Sequence, residues 1–185
     1  MSDTIGKEGF IMDARAVGLS VGVMVGLVSC VVLFKYWNKD GKVKTKYDEM
    51  QERVRGRAYK YSFWTLAAYE ALMCMASGFQ GDLHMEQFLI HFTGVMISAM
   101  VHAVYSVWND AYIGLNTNRR RFMICMFVVG IINLLSGIMA IVSGTLVEDG
   151  VLMAPFANLL CAFMFIVIGV EIAIKDHIDN KDEED

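Results

Sequence analysis

Five stretches of this chain, 16–34, 59–79, 88–108, 122–143 and 153–174, are almost free of charged side chains. Each is 19 to 22 residues long. A helix of about twenty apolar residues crosses the hydrocarbon core of a bilayer, about 30 Å thick. The composition agrees: 56% of the chain is hydrophobic and 19% charged, where soluble domains lie nearer half and a quarter. A small soluble protein has no room to bury five such helices. The predicted fold is an all-α integral membrane bundle of five transmembrane helices with a cytoplasmic juxtamembrane amphipathic helix.

The expected organisation is an extracellular N-terminus (1–15), one transmembrane domain (16–174) that includes a cytoplasmic segment (35–58), and an acidic cytoplasmic tail (175–185). The first fifteen residues hold Asp3, Lys7, Glu8, Asp13 and Arg15. They lack the positive start of a cleavable signal, so the first stretch is expected to remain as a span. Cys30, Cys74, Cys125 and Cys161 each fall inside a span and form no CxxC, so they read as small packing residues rather than a zinc or disulfide framework.

Charge sets the expected topology. Nine of the 16 Lys and Arg lie between Lys35 and Lys60, three more are Arg119, Arg120 and Arg121, and Lys175 and Lys181 follow the last span. The positive-inside rule places these segments in the cytoplasm. The loops 80–87 and 144–152, with Asp82, Glu86, Glu148 and Asp149 and no Lys or Arg, fall outside. The expected location is a plasma membrane, multi-pass, with the N-terminus outside and the C-terminus inside. The tail "KDHIDNKDEED" is expected to be disordered and solvated, with folding back on the basic 35–60 segment as the alternative.

Residues 45–64, "TKYDEMQERVRGRAYKYSFW", alternate apolar and polar positions at helical spacing. Acids come early and bases late, as the helix dipole prefers, and Glu49 and Arg53 stand four apart. An amphipathic helix is expected here, bending at Gly56 into the second span. Arg53, Arg55, Arg57 and Lys60 are its candidate anionic-lipid contacts. Positive charge held against a membrane argues against nucleic acid as a partner.

The stretch "YDEMQERVRGRAYKY", leading directly into a span, and "VWNDAYIGLN" (107–116) after the third span resemble an uncharacterised family of small multi-pass membrane proteins of Gram-positive bacteria. The resemblance covers about 35 residues and the hydropathy layout. It implies a bacterial plasma membrane and carries over no site residues.

Rows of small and polar residues indicate which faces pack. Gly18, Gly22 and Gly26 make a doubled GxxxG in the first span, a close-packing surface for another helix. The third span carries His91, Gly94, Ser98, His102, Tyr105 and Asn109 on one face. The fourth carries Gly130, Asn133, Gly137, Ala140 and Gly144. Glu70 stands near the middle of the second span, where an unpaired acid is costly. It is expected to point inward toward Asn133, Ser98 or His102. These four form the candidate intramembrane polar site, either a knot that fixes helix register or a proton- or ligand-linked site. Glu171, close to Lys175, is expected to reach the inner interface.

Catalytic motifs are absent from the sequence: there is no HExxH, no P-loop and no GxGxxG, and neither a cofactor nor a metal is expected. The expected function is therefore non-enzymatic, an accessory, binding or regulatory membrane component. The alternative is a small-solute or ion transporter or channel, with or without proton coupling, acting as an oligomer. Its partners are expected to be membrane lipids and further copies of itself or another membrane protein.

Overall fold

The computed structural model describes residues 14–80 and 83–182; within these, the side chains of 14–23, 26, 27, 77–80 and 182 are outside the description. It contains five long helices: α1 (Ala14–Trp37), α2 (Glu49–Gln80), α3 (Gln87–Trp108), α4 (Arg119–Val142) and α5 (Phe156–Asp182). A hairpin of β1 (Val147–Glu148) and β2 (Val151–Leu152) joins α4 to α5. Three of the helices, α3, α4 and α5, are long and apolar enough to cross a membrane. α2, with its four cations and Glu70, is not among them. In α1 the apolar helical stretch within the described residues is Val28–Trp37. The surroundings of Gly18, Gly22 and Gly26 lie outside the described residues, as do Asp82 and residues 1–13.

Local chemistry starts α2, α4 and α5. Asp48 caps α2: its carboxylate accepts from Gln51 N at 2.7 Å, while the Gln51 amide oxygen accepts from Asp48 N at 3.4 Å. This reciprocal capping box, with Glu49 and Glu52 in the first turn, suits the positive end of the helix dipole. Asn118 caps α4 by accepting from Arg121 N at 3.0 Å. Pro155 stands just before α5, where its missing N–H costs nothing. The hairpin turns at Asp149 and Gly150, both with positive φ (49° and 79°), the Asp-Gly chemistry that a tight two-residue turn selects.

α4 packs along α5, α5 against α3, and α3 against α2; α1 meets α4. The small-residue row of α4 faces α5. A Cβ on Gly137 would run into the Leu159 side chain, and one on Gly130 would lie 2.8 Å from Ile166 Cγ1. The buried apolar cluster joins Ala103 and Val107 of α3, Met126 of α4, and Ile168 and Ile172 of α5. Trp37 at the end of α1 completes it, its ring 4.8 Å from that of Phe122.

The loops gather at two ends. At one, here the basic end, the segment after α1 is stitched to the α3–α4 loop. Lys39 N donates to Asn116 O (2.6 Å), Leu115 N to Lys46 O (2.9 Å) and Asn118 N to Trp37 O (2.6 Å). Asn116 accepts from Lys46 N and donates to Lys44 O and Asp40. At the opposite end Leu152 N donates to His84 O, and Glu86 accepts from Ala154 N at 2.6 Å, which holds α3 and α5 together.

Three expectations are corrected. The amphipathic segment and the second span are one uninterrupted 32-residue helix. Gly56 lies inside it and does not interrupt the helix. The acidic tail is helical through Asp182 rather than solvated coil: Asp176 and Asp179 ion-pair with Arg119, and Lys175 bridges Asp110 (3.3 Å) and Asp179 (2.8 Å). The tail thus pairs with Arg119 at the start of α4, not with the cations of 35–60. Finally, Glu49 and Arg53 form no ion pair; solvation of two exposed side chains outweighs the small gain of such a pair.

Candidate functional site

The polar row of α3 turns toward α2 along its whole length, and the two helices meet in antiparallel rungs. Near the basic end the Gln51 amide donates to Asp110 O at 2.7 Å. Next, the Tyr61 ring meets Tyr105 edge-on at 5.0 Å, and the Tyr59 ring lies over His102 at 4.5 Å. Ser62 and Ser98 are locked together: their Oγ atoms are 2.7 Å apart, and each hydroxyl also reaches the other's carbonyl oxygen, at 2.8 and 3.0 Å. Further along, Gly94 leaves no space for a Cβ beside the Tyr69 ring, and the Tyr69 hydroxyl donates to Ile90 O at 2.8 Å. In the last rung Glu70 Oε2 lies 3.0 Å from His91 Nδ1.

The four sequence-predicted site residues therefore separate. Ser98 and His102 stay together. Glu70 pairs with His91, beside the first turns of α3, and not with Asn133, Ser98 or His102. Asn133, on α4, donates to its own helix at Val129 O (2.8 Å). α3 and α5 stand between α4 and α2, and that order keeps Asn133 away from Glu70. Glu171 does not reach outward: its Oε2 is buried without a hydrogen bond.

Ser98 and His102 line a crevice of about 350 Å³ between α2, α3 and α5. One wall is polar and aromatic (Tyr59, Ser62, His102, Tyr112). The other is apolar (Met164, Phe165, Ile168). His102 Nδ1 and, one turn on, Ser106 Oγ are buried and have no hydrogen-bond partner. Buried polar atoms are nearly always satisfied in folded proteins; of these two residues His102 lines the crevice and Ser106 does not, so the His102 ring is the group a bound molecule can pair with once it turns toward it. The neutral imidazole can either donate or accept there.

Tyr112 also lines a second cavity, of about 370 Å³, at the basic end, with Gln51, Asp110 and Arg119 around it. Burial, with Tyr47 and Glu171 nearby, pushes the Tyr112 hydroxyl up to about 12. Burial likewise raises Tyr47. Arg55, expected to meet lipid, is instead folded inward, its guanidinium 3.8 Å from the centre of the Tyr47 ring and donating to Tyr59 Oη at 3.2 Å.

Ser62 was legible in principle, since it shares the inward face of α2 with Val54 and Ala58, whereas Tyr59, 56% exposed, stands about a quarter turn from Ala58. Tyr112, in the α3–α4 loop, carries no periodic signal. Among the described residues no three His, Cys, Asp or Glu side chains gather to hold a metal. No family model, curated protein or solved structure matches this chain.

Proposed function

We propose that the chain is a five-span, non-enzymatic membrane protein of the plasma membrane whose role is binding, as an accessory or regulatory component. The observation that carries this reading is the crevice at Ser98 and His102. It joins an apolar wall to a polar one that carries the Ser62 and Ser98 hydroxyls and the His102 ring, as a receptor for a small amphipathic molecule does. The N-out, C-in orientation draws support from the meeting of Lys39, Lys46, Arg119 and Lys175 at one end of the bundle. Cysteines introduced at Glu148 and Lys44 test it: the first should react with an impermeant thiol reagent on intact cells, the second should not.

The binding reading is tested by extracting small molecules from the purified protein and comparing wild type with His102→Phe by mass spectrometry. Phenylalanine keeps the stack on Tyr59 and removes the ring nitrogens. A component retained by the wild type and lost from the variant is expected; identical extracts would overturn the reading. Passage of a solute or ion through an oligomer is the second reading, and it rests on Tyr112, which lines both the crevice and the cavity at the basic end. Ion or proton flux into proteoliposomes that His102→Phe abolishes would favour it.

A further inference from the structure

The rungs between α2 and α3 fix how far α2 is drawn along its neighbour. Gln51 is level with Asp110 at the end of α3, Tyr59 with His102, and Ser62 with Ser98 midway along it. Residues 52–61 of α2 therefore stand beside the last three turns of a helix apolar and long enough to cross a membrane. Those ten residues contain Arg53, Arg55, Arg57 and Lys60.

Arg55 is partnered within the molecule by the Tyr47 ring and the Tyr59 hydroxyl. The other three are not. Arg53, Arg57 and Lys60 are exposed and, among the described residues, make no hydrogen bond or ion pair. At 100° per residue they fall within an arc of about 60°, together with Trp64, on the side away from buried Ala58. Lys60 is nine residues past Gln51, hence about 14 Å from the level of Asp110 toward the opposite end. Cations set that far along the bundle's outer face need anionic partners. Trp64, 62% exposed and about one turn deeper than Lys60, supplies a large apolar ring on the same stripe.

We propose that the outer face of α2 is a binding site for the phosphate of an anionic phospholipid, held by Arg53, Arg57 and Lys60 with Trp64 against its acyl chains. The proposal rests on the reading of α2 as a membrane span. Each of these cations favours an anionic over a neutral lipid by roughly fivefold.

The test uses the full chain in vesicles of phosphatidylcholine with a minor fraction of either brominated phosphatidylglycerol or brominated phosphatidylcholine. The readout is the fluorescence quenching that Trp64→Phe removes. The expected result is several-fold stronger quenching by the brominated phosphatidylglycerol. The preference should vanish in R53Q/R57Q/K60Q and survive in Arg120→Gln, a cation of the same end outside the stripe. Equal quenching by both lipids, or a preference that survives the triple substitution, would overturn the proposal. Displacement of the lipid by inorganic phosphate, beyond the effect of potassium chloride at equal ionic strength, would overturn the lipid as occupant in favour of soluble phosphate. Quenching of Trp64 by neither lipid would instead remove the membrane-span reading beneath it. Circular dichroism of the triple variant separates loss of the site from loss of the fold.

Discussion

The Glu70 carboxylate lies 3.0 Å from His91 Nδ1, so the one acid in the interior of α2 is paired across the hairpin with the first histidine of α3. Both side chains are partly open, 37% and 57% exposed. The pair therefore resembles a surface ion pair more than a sealed one, and its coupling is modest. A double-mutant cycle of Glu70→Gln and His91→Gln, read by melting in detergent, should give a coupling of about 0.5 kcal/mol. A coupling of several kcal/mol would mean that the pair is sealed from solvent in the working protein.

Glycine substitutions should separate sharply by position. A Cβ on Gly94 would collide with the Tyr69 ring and stand 3.3 Å from Glu70 Oε1. Gly94→Ala should destabilise by about 1–3 kcal/mol, because the α2–α3 contact must open. A Cβ on Gly56 would meet nothing within 4 Å. Gly56→Ala should stabilise by about 0.5–1 kcal/mol through helix propensity alone. Equal melting temperatures for the two variants would contradict the packing described.

Asn116 ties the segment after α1 to the α3–α4 loop through Lys46 N (2.8 Å), Lys44 O (3.2 Å) and Asp40 (3.1 Å). Asn116→Ala should cost about 1–3 kcal/mol by leaving backbone groups unpaired. Hydrogen exchange should accelerate at residues 39–47 and 110–118 while the core of α4 stays protected. Uniform acceleration throughout the chain would show that the loop is not an independent lock.

Stability should fall in alkali. The Tyr112 hydroxyl is raised from 10.0 to about 12, mainly by burial. Above pH 10 the unfolded chain releases this proton and the folded chain keeps it, so folding weakens progressively until about pH 12. The loss is on the order of 3 kcal/mol. Tyr112→Phe should flatten the decline, leaving a smaller part from Tyr47, which shifts the same way. At the acid end the hydrogen bond from Lys42 N holds Asp40 below its ordinary 3.8. Its contribution is present above that value and disappears as pH falls through the lowered one. An unchanged alkaline profile in Tyr112→Phe would place the hydroxyl in contact with solvent.

The sequence by itself determined whatever depends on neighbours within one or two helical turns. Charge-free lengths mark the apolar helices because hydrocarbon excludes charge over a fixed thickness. The rows His91–Tyr105 and Gly130–Ala140 found their packing partners because helical periodicity places such residues on one face. Asp48 with Gln51 and Asp149 with Gly150 are cap and turn signals of the same local kind. Tertiary structure alone decided the displacement of each helix along its axis. Ridges and grooves repeat at every turn, so periodicity is equally compatible with several registers. The sum of contacts from Gln51–Asp110 to Glu70–His91 selects one. That register sets Glu70 against His91 rather than Ser98, draws Arg53, Arg57 and Lys60 alongside α3, and leaves His102 lining a crevice. The helical tail was hidden for a similar reason: its acids repel one another in sequence, and only the fold brings Arg119 to them.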